Sequence, residues 1–313
     1  ILEFLKTYKL YLFFAVLAMV FYGAFGYDLE RSDFVKLISL YGALFFIAYL
    51  LIEKWKLPLI WLVVLGILFR LVFIVAVPNL SQDFYRFLWD GRLLAQGVNP
   101  YLFTPETYLN NTSWSVLNGD ILVAQAEVLY HGMAELNASH YSNYPPLNQL
   151  CFAIAALFAG KSILGSVVVL RIIIILADIG ILYFGKKLLE SLKLPVRNIF
   201  WYFISPFIII ELTGNLHFEG VMLFFVVWSL YLLHKGKWFW AAVLLGLSVS
   251  VKLLPLIFLP LFFKWFLNNE KTIISNEERN LTTSSLHFDK LGVTKLFGFY
   301  SIVIGTVLLT FAP

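Results

Sequence analysis

The amino-acid sequence predicts an all-α polytopic membrane protein, and three observations support that prediction. Of the 313 residues, 60% are hydrophobic and only 13% are charged, which is more apolar surface than a soluble domain buries. The apolar runs are long and continuous, without the alternation of a transmembrane β-barrel, so we expect helices. A single cysteine, Cys151, excludes an intrachain disulfide and any cysteine-based metal cluster.

The apolar runs predict about nine spans within a single transmembrane domain, residues 1–313. The candidate spans are residues 9–27, 33–53, 58–78, 165–187, 197–213, 217–234, 238–251, 253–267 and 293–312. Lysines and arginines cluster at the ends that the positive-inside rule assigns to the cytoplasm, so the polar segment 268–291 is expected to be a cytoplasmic loop. Because the sequence stops just after an apolar run, we expect further helices beyond its C-terminal end.

The segment 79–161 differs from the rest and is predicted to form a long outer loop. Its residues 79–146 contain only two cations against six carboxylates, which places them on the non-cytoplasmic side. The apolar run within 147–161 is too short for a crossing, which needs about 20 residues. We therefore expect interfacial or re-entrant helices here. The outer side would be the periplasm of a bacterium or the lumen of a eukaryotic organelle; we expect a bacterial inner-membrane protein, in which a site on this segment faces the periplasm.

Charged side chains recur at helical spacing directly after the third apolar run. Asp83, Arg86 and Asp90 fall at i, i+3 and i+7, which puts them on one face of a helix. Phe84 and Leu88 fall on the opposite face, which we expect to lie in lipid. Such a helix would hold its carboxylates toward water or a polar substrate at the membrane boundary.

Three further polar motifs are predicted to reach the same outer boundary. They are YPPLNQ at residues 144–149, ELTGNLHFEG at 211–220 and VKLLP at 251–255. Together with the charged helix, they bring four separate elements of the chain to one face. A polar pocket assembled in this way is typical of an active site on a helical scaffold.

This ordered set of motifs resembles the glycosyltransferase-C superfamily of membrane enzymes, which take sugars from polyprenyl or dolichyl phosphates. It is most similar to polyprenol-phosphate-mannose-dependent α-mannosyltransferases, both the bacterial enzymes and the catalytic subunit of glycosylphosphatidylinositol mannosyltransferase I. The resemblance covers about residues 58–262. The matching residues are Asp83-Phe84-Tyr85-Arg86, Asp90-Gly91-Arg92, Gly97-Val98-Asn99-Pro100-Tyr101, Tyr144-Pro145-Pro146-Leu147, Ser205-Pro206, Gly214-Asn215, Gly246-Leu247, Lys252 and Pro255.

The resemblance implies a glycosyltransferase-C-like helical bundle and an inverting glycosyltransferase. It would move mannose from a polyprenyl-phosphate donor to a hydroxyl of a glycan or glycolipid acceptor on the outer face of the bilayer. Asp83 would accept the proton of the attacking hydroxyl, and a β-linked donor would give an α-linked product. The family often has two adjacent acids where this chain has Gln82 and Asp83. Without a second adjacent carboxylate we predict no metal site, although the loop acids could hold a divalent cation. No nucleic-acid partner is expected.

The candidate catalytic residues are Asp83 and Asp90. An ionised carboxylate at a helix start beside the bilayer can accept a proton during displacement, which favours Asp83 as the base. The structural alternative is an ion pair with Arg86. Asp90 could orient the acceptor or pair with Arg86, and the sequence does not separate these two roles.

The candidate substrate-binding residues supply charge and hydrogen bonds for a departing phosphate and for sugar hydroxyls. The strongest is Lys252, a lone lysine among apolar residues, although it could instead snorkel to lipid headgroups. His217 could bind phosphate or sugar, or make an interhelical contact. Arg171 could join this phosphate site or pair with Asp178 at i+7, and the pairing is the favoured interpretation. The complete set of candidate substrate-binding residues is Arg86, Arg92, Tyr144, His217, Glu219 and Lys252.

A transporter or flippase of lipid-linked saccharide is the alternative function. A transporter should show an internal repeat and charged groups near the bilayer midplane. This chain shows no repeat, and its unusual polar groups gather at one boundary. The sequence therefore favours the enzyme.

Overall fold

The computed structural model describes residues 2–110, 122–266 and 290–312. These three ranges contain helices and connecting turns and no β-strand. Residues 268–289, which make up nearly all of the predicted cytoplasmic loop, lie outside the described residues.

The helices follow one another along the whole described chain, with short connections except around the outer loop. In chain order they are α1 (Leu2–Tyr27), α2 (Phe34–Lys54), α3 (Leu59–Leu71), α4 (Asp83–Leu94), α5 (Pro105–Asn110), α6 (Ala126–Ala138), α7 (Pro146–Ala159), α8 (Ile163–Ser191), α9 (Val196–Phe203), α10 (Pro206–Gly214), α11 (Glu219–His234), α12 (Trp238–Val251), α13 (Leu254–Phe266) and α14 (Lys290–Phe311). The all-helical membrane fold predicted from the sequence is confirmed in these ranges.

Within the described residues, four helices are long and apolar enough to cross a membrane. They are α2 and α8 together with the segments Lys9–Tyr27 of α1 and Gly292–Phe311 of α14. Helices α9 and α10 form a pair bent by 46° that would count as a fifth span. The remaining predicted spans appear as the shorter apolar helices α3, α11, α12 and α13. The long apolar helices indicate an integral membrane protein, and the number of nine crossings stays a prediction.

Helix α4 lies inside the protein, not at a lipid surface. It packs against α6 and α7, and Phe84, Leu88, Arg86 and Asp90 are each at most 3% exposed. The prediction that its apolar face lies in lipid is therefore wrong. The close packing depends on Gly91, because a Cβ there would overlap the carbonyl oxygen of Phe152 on α7.

A fully buried ion pair joins α3 to α8. Arg70 Nε lies 2.8 Å from Asp178 Oδ2, and both side chains are inaccessible to solvent. Tyr202 also donates a hydrogen bond to Asp178, at 2.8 Å. The predicted pairing of Asp178 with Arg171 is wrong, because the carboxylate is already occupied by these partners from α3 and α9.

Candidate active site

A cavity of about 560 Å³, which we call the first cavity, opens where α4, α7 and α11 begin and α12 ends. Of the eight side chains predicted for the site, it brings five together. They are Asp83, Tyr144, His217, Glu219 and Lys252, and they come from four separate stretches of the chain. These five residues therefore meet in one cavity, and their roles in binding or catalysis stay predictions.

Asp83 is the first residue of α4 and is partly buried in the wall of this cavity. The N-terminus of a helix carries a partial positive charge, which favours an ionised carboxylate there. Arg86, the expected ion-pair partner one turn away, lies instead with its Nε 2.8 Å from Asp90 Oδ1. The geometry therefore leaves Asp83 facing the cavity.

Lys252 leaves the end of α12 with an extended backbone and reaches Glu219, the first residue of α11. Their side chains form an ion pair and remain 51% and 35% exposed. Asn148 holds the end of α12 in place, since its Nδ2 donates to the Val251 carbonyl at 2.9 Å. Because exposed ion pairs contribute only about 0–1 kcal/mol, an anion in the cavity can displace Glu219 at little cost.

The loop between α10 and α11 places His217 between two other polar groups. Its Nδ1 lies 3.5 Å from Glu211 Oε2, and its Nε2 lies 3.4 Å from Ser81 Oγ. The preceding Leu216 is buried and has φ of +60°, a left-handed conformation that is strained for a leucine. Strain of this kind costs about 1–3 kcal/mol and persists only where the surroundings hold it.

Arg171 of α8 holds the start of that loop. Its guanidinium donates to the carbonyl oxygens of Thr213 at 2.8 Å, Gly214 at 3.1 Å and Ile74 at 3.0 Å. The carbonyls at the end of α10 carry partial negative charge, which suits a buried cation. Arg171 therefore positions the loop that carries His217.

Asp90 and Arg86, also predicted for the site, lie behind the cavity and not in its lining. Asp90 is fully buried and accepts hydrogen bonds from Arg86, Gln149 at 2.8 Å and Ser142. Burial raises the pKa of Asp90, and these donors act in the opposite direction. Arg86 also donates to the carbonyls of Asn137 and His140. This pair ties α4 to the outer segment around it.

Arg92, on the same helix, also lies outside the lining of the first cavity. It donates to the carbonyls of Ala124 and Lys161 and to Gln125 Oε1. Its burial lowers its pKa. Arg92 therefore fastens the outer segment to the helix.

Tyr144 forms an aromatic wall of the first cavity. Its ring packs edge-on against Phe87 and Phe152, with centroids 4.9 and 5.6 Å away. Its carbonyl accepts a hydrogen bond of 2.6 Å from the hydroxyl of Tyr101, whose pKa burial raises to about 12. Burial, reinforced by the charge of Asp83, also raises the pKa of Tyr144. Both phenols therefore stay protonated at neutral pH.

A second cavity of about 390 Å³ adjoins the first and shares Asp83 and His217 with it. The sequence motifs indicated only part of this cavity: Glu211, within the motif at 211–220, could contact sugar hydroxyls or serve packing. The rest was not indicated, because some of the lining comes from residues before the predicted outer loop. Tyr41, for example, lies within an apolar run, and only its hydroxyl distinguishes it from the neighbouring core residues.

The described residues contain no group of three His, Cys, Asp or Glu side chains arranged to hold a metal ion. The divalent cation that the sequence allows stays a prediction.

Residues 30–268, well over half of the chain, match the MptA_B family, described as alpha-(1->6)-mannopyranosyltransferase, N-terminal domain. This range includes all five predicted residues that line the first cavity. Searches of the curated proteins and of the solved structures gave no match. The resemblance to α-mannosyltransferases drawn from the motifs is confirmed by this match. The chain belongs to the MptA_B family of α-(1→6)-mannopyranosyltransferases.

Proposed function

We propose that this mannosyltransferase works by inversion, moving mannose from a polyprenyl-phosphate donor to an acceptor hydroxyl on the outer face of the membrane. The observation that carries the proposal is the meeting of Asp83 and Lys252 in one cavity. One supplies a carboxylate and the other a cation, and they are brought together from helices that are distant in the sequence.

In the proposed reaction, Asp83 accepts the proton of the acceptor hydroxyl. The hydroxyl oxygen forms a bond to the anomeric carbon while the bond from that carbon to the phosphate oxygen breaks. The bonding electrons leave with the phosphate, which departs as polyprenyl phosphate. A single displacement inverts the anomeric centre, so the α-linked product of this family requires a β-linked donor.

Lys252 is proposed to neutralise the negative charge that develops on the departing phosphate. It is followed by Leu253 and Leu254, which line the same cavity and are 55% and 54% exposed. A cation beside exposed apolar side chains suits a phosphate attached to a hydrocarbon tail. This arrangement supports a lipid-linked donor.

Asn148 and Glu219 are proposed to bind hydroxyls of the donor sugar. Asn148 lines the first cavity, and no donor within the described residues reaches its buried Oδ1. Leaving a buried polar atom unpaired is unfavourable, so a turn of the amide that brings Oδ1 to a ligand hydroxyl would be stabilising. Glu219 becomes available to accept hydrogen bonds from sugar hydroxyls once Lys252 turns to the phosphate.

The outer face is proposed from the charge of the segment that carries Asp83. Residues 79–146 have six carboxylates and two cations, while lysines cluster at the opposite ends of the predicted spans. In a bacterium this segment would face the periplasm.

The test is transfer of radiolabelled mannose from polyprenyl-phosphate mannose in membranes that carry the protein. We expect Asp83→Asn to reduce transfer roughly 10²- to 10⁴-fold, as loss of a general base does. Glu135→Gln is the matched control, because this exposed carboxylate of the outer segment lies outside both cavities and should leave transfer unchanged. Equal transfer by wild type and Asp83→Asn would remove Asp83 from the mechanism.

A further inference from the structure

The second cavity has a polar lining that the proposed donor site does not use. It lies between α2, the residues just before α4, and the end of α10. Its polar side chains beyond the two shared ones are Arg31, Tyr41, Ser81, Gln82, Glu211 and Asn215. Hydroxyls, amides and a carboxylate in one concave surface suit a ligand rich in hydroxyl groups.

Asp83 and His217 form the boundary between the two cavities, since both side chains line each of them. In an inverting displacement, the attacking oxygen and the leaving oxygen lie on opposite sides of the anomeric carbon. The acceptor and the departing phosphate must therefore lie on opposite sides of the transferred sugar, with the base on the acceptor side. A base that faces two cavities meets this requirement.

Glu211 is held in a fixed position at the second cavity. Its Oε1 accepts a hydrogen bond of 3.2 Å from the Tyr41 hydroxyl, and its Oε2 accepts one of 3.1 Å from Asn215 Nδ2. The His217 ring lies 3.5 Å from Oε2, and the Glu211 side chain remains 26% exposed. A carboxylate has about four sites for accepting hydrogen bonds, so Glu211 keeps capacity for ligand hydroxyls.

The two cavities differ in charge and polarity in a way that separates two ligands. The first has Lys252 beside exposed leucines, which favours a lipid phosphate. The second has Glu211 in its wall, which disfavours a phosphate, while the exposed Arg31 remains open to water. A neutral sugar therefore fits the second cavity better than a second phosphate does.

We propose that the second cavity binds the terminal sugar of the acceptor, with its attacking hydroxyl at Asp83 and neighbouring hydroxyls on Glu211 and Gln82. This inference rests on the proposed function. The (1→6) linkage of the family makes the attacking group a primary hydroxyl. Such a hydroxyl projects from the sugar ring and can reach the boundary while the ring stays in the second cavity.

The experiment measures initial rates of the whole protein in detergent, with polyprenyl-phosphate mannose as donor and octyl α-mannoside as acceptor probe. We expect Glu211→Gln to raise the KM for octyl α-mannoside roughly tenfold, the loss of one charge-assisted hydrogen bond, with the donor KM unchanged. Lys252→Gln should raise the donor KM and leave the KM for octyl α-mannoside unchanged. Glu135→Gln should change neither KM.

Gln82→Ala provides a second variant that does not threaten folding, because Gln82 is exposed and makes no capping hydrogen bond. It should raise the KM for octyl α-mannoside about two- to fivefold, the effect of one neutral hydrogen bond. An unchanged acceptor KM in both variants, or an equal rise in donor KM, would overturn the acceptor site. Failure of the wild type to transfer mannose from the donor would instead refute the proposed function.

Discussion

The first turn of α4 carries a carboxylate that lines a cavity, whereas a later turn of the same helix carries one that is buried in protein. Asp83, in the first turn, lines both cavities. Asp90, seven residues later, is fully buried and accepts hydrogen bonds from three side chains. The sequence makes both of them candidates for the reaction, because charge at membrane depth is usually functional. The structure shows that Asp83 faces open space while the oxygens of Asp90 are taken up by protein donors.

The largest effect on stability is expected from breaking the buried pair. Arg86→Met would leave Asp90 buried without its cation, which destabilises proteins by about 3–5 kcal/mol. Thermal unfolding of the purified protein in detergent would measure the loss, and Asp83→Asn should unfold at the wild-type temperature. The double variant Arg86→Met with Asp90→Leu should recover part of the stability.

The pH dependence of the stability of Arg86→Met should show whether the loss comes from the buried charge of Asp90. Burial raises the folded-state pKa of Asp90 above its value in the unfolded chain. The ionised form is therefore penalised in the folded state, so stability should fall as the pH rises through the unfolded-state pKa toward the folded-state value. In Arg86→Met the penalty should shrink as the pH is lowered. A loss of stability that is constant with pH would point to packing, not charge.

A smaller effect is expected at the contact between α4 and α7. Gly91→Ala would drive a methyl group into the Phe152 carbonyl, and forced overpacking costs about 1–3 kcal/mol. Gly23→Ala in α1 is the matched control, because nothing lies within 4 Å of the position its Cβ would take. Gly91→Ala should therefore unfold at a lower temperature than Gly23→Ala. If they unfold alike, α4 is not held tightly against α7.

The smallest effect on stability is expected at the exposed pair in the first cavity. Lys252→Gln should change the free energy of unfolding by no more than about 1 kcal/mol, since exposed ion pairs contribute little. The same variant should raise the donor KM roughly tenfold, because a charge-assisted contact to phosphate is lost. Rates measured against donor concentration test this. A large loss of stability with an unchanged donor KM would make Lys252 a structural residue.

Much of the first cavity was predictable because its residues stand out against apolar surroundings. Lys252, His217 and Glu219 interrupt long apolar runs, and the positive-inside rule placed them at the same boundary as Asp83. The environment of α4 was not predictable in the same way. Helical periodicity identifies an apolar face, but it does not tell whether protein or lipid covers that face, and here α6 and α7 cover it.

Contacts between distant segments set the other limit of sequence reasoning. Asp178 pairs with Arg70, 108 residues earlier, and no local spacing reveals such a partner. The second cavity could not be predicted as a whole for the same reason, since Tyr41 and Glu211 are separated by 170 residues. The motifs indicated which residues were unusual, and the packing of helices decided which of them meet.

The hydrogen bonds from Arg171 to three main-chain carbonyls affect which substitutions this part of the protein tolerates. Main-chain oxygens are present whatever the side chain, so residues such as Thr213 and Ile74 can be exchanged without losing these bonds. The arginine has no such freedom, because a lysine offers a single ammonium where a planar fork of donors is needed. Among sequences that keep this pocket, we expect substitutions at the residues whose carbonyls accept these bonds, while the arginine itself stays constant.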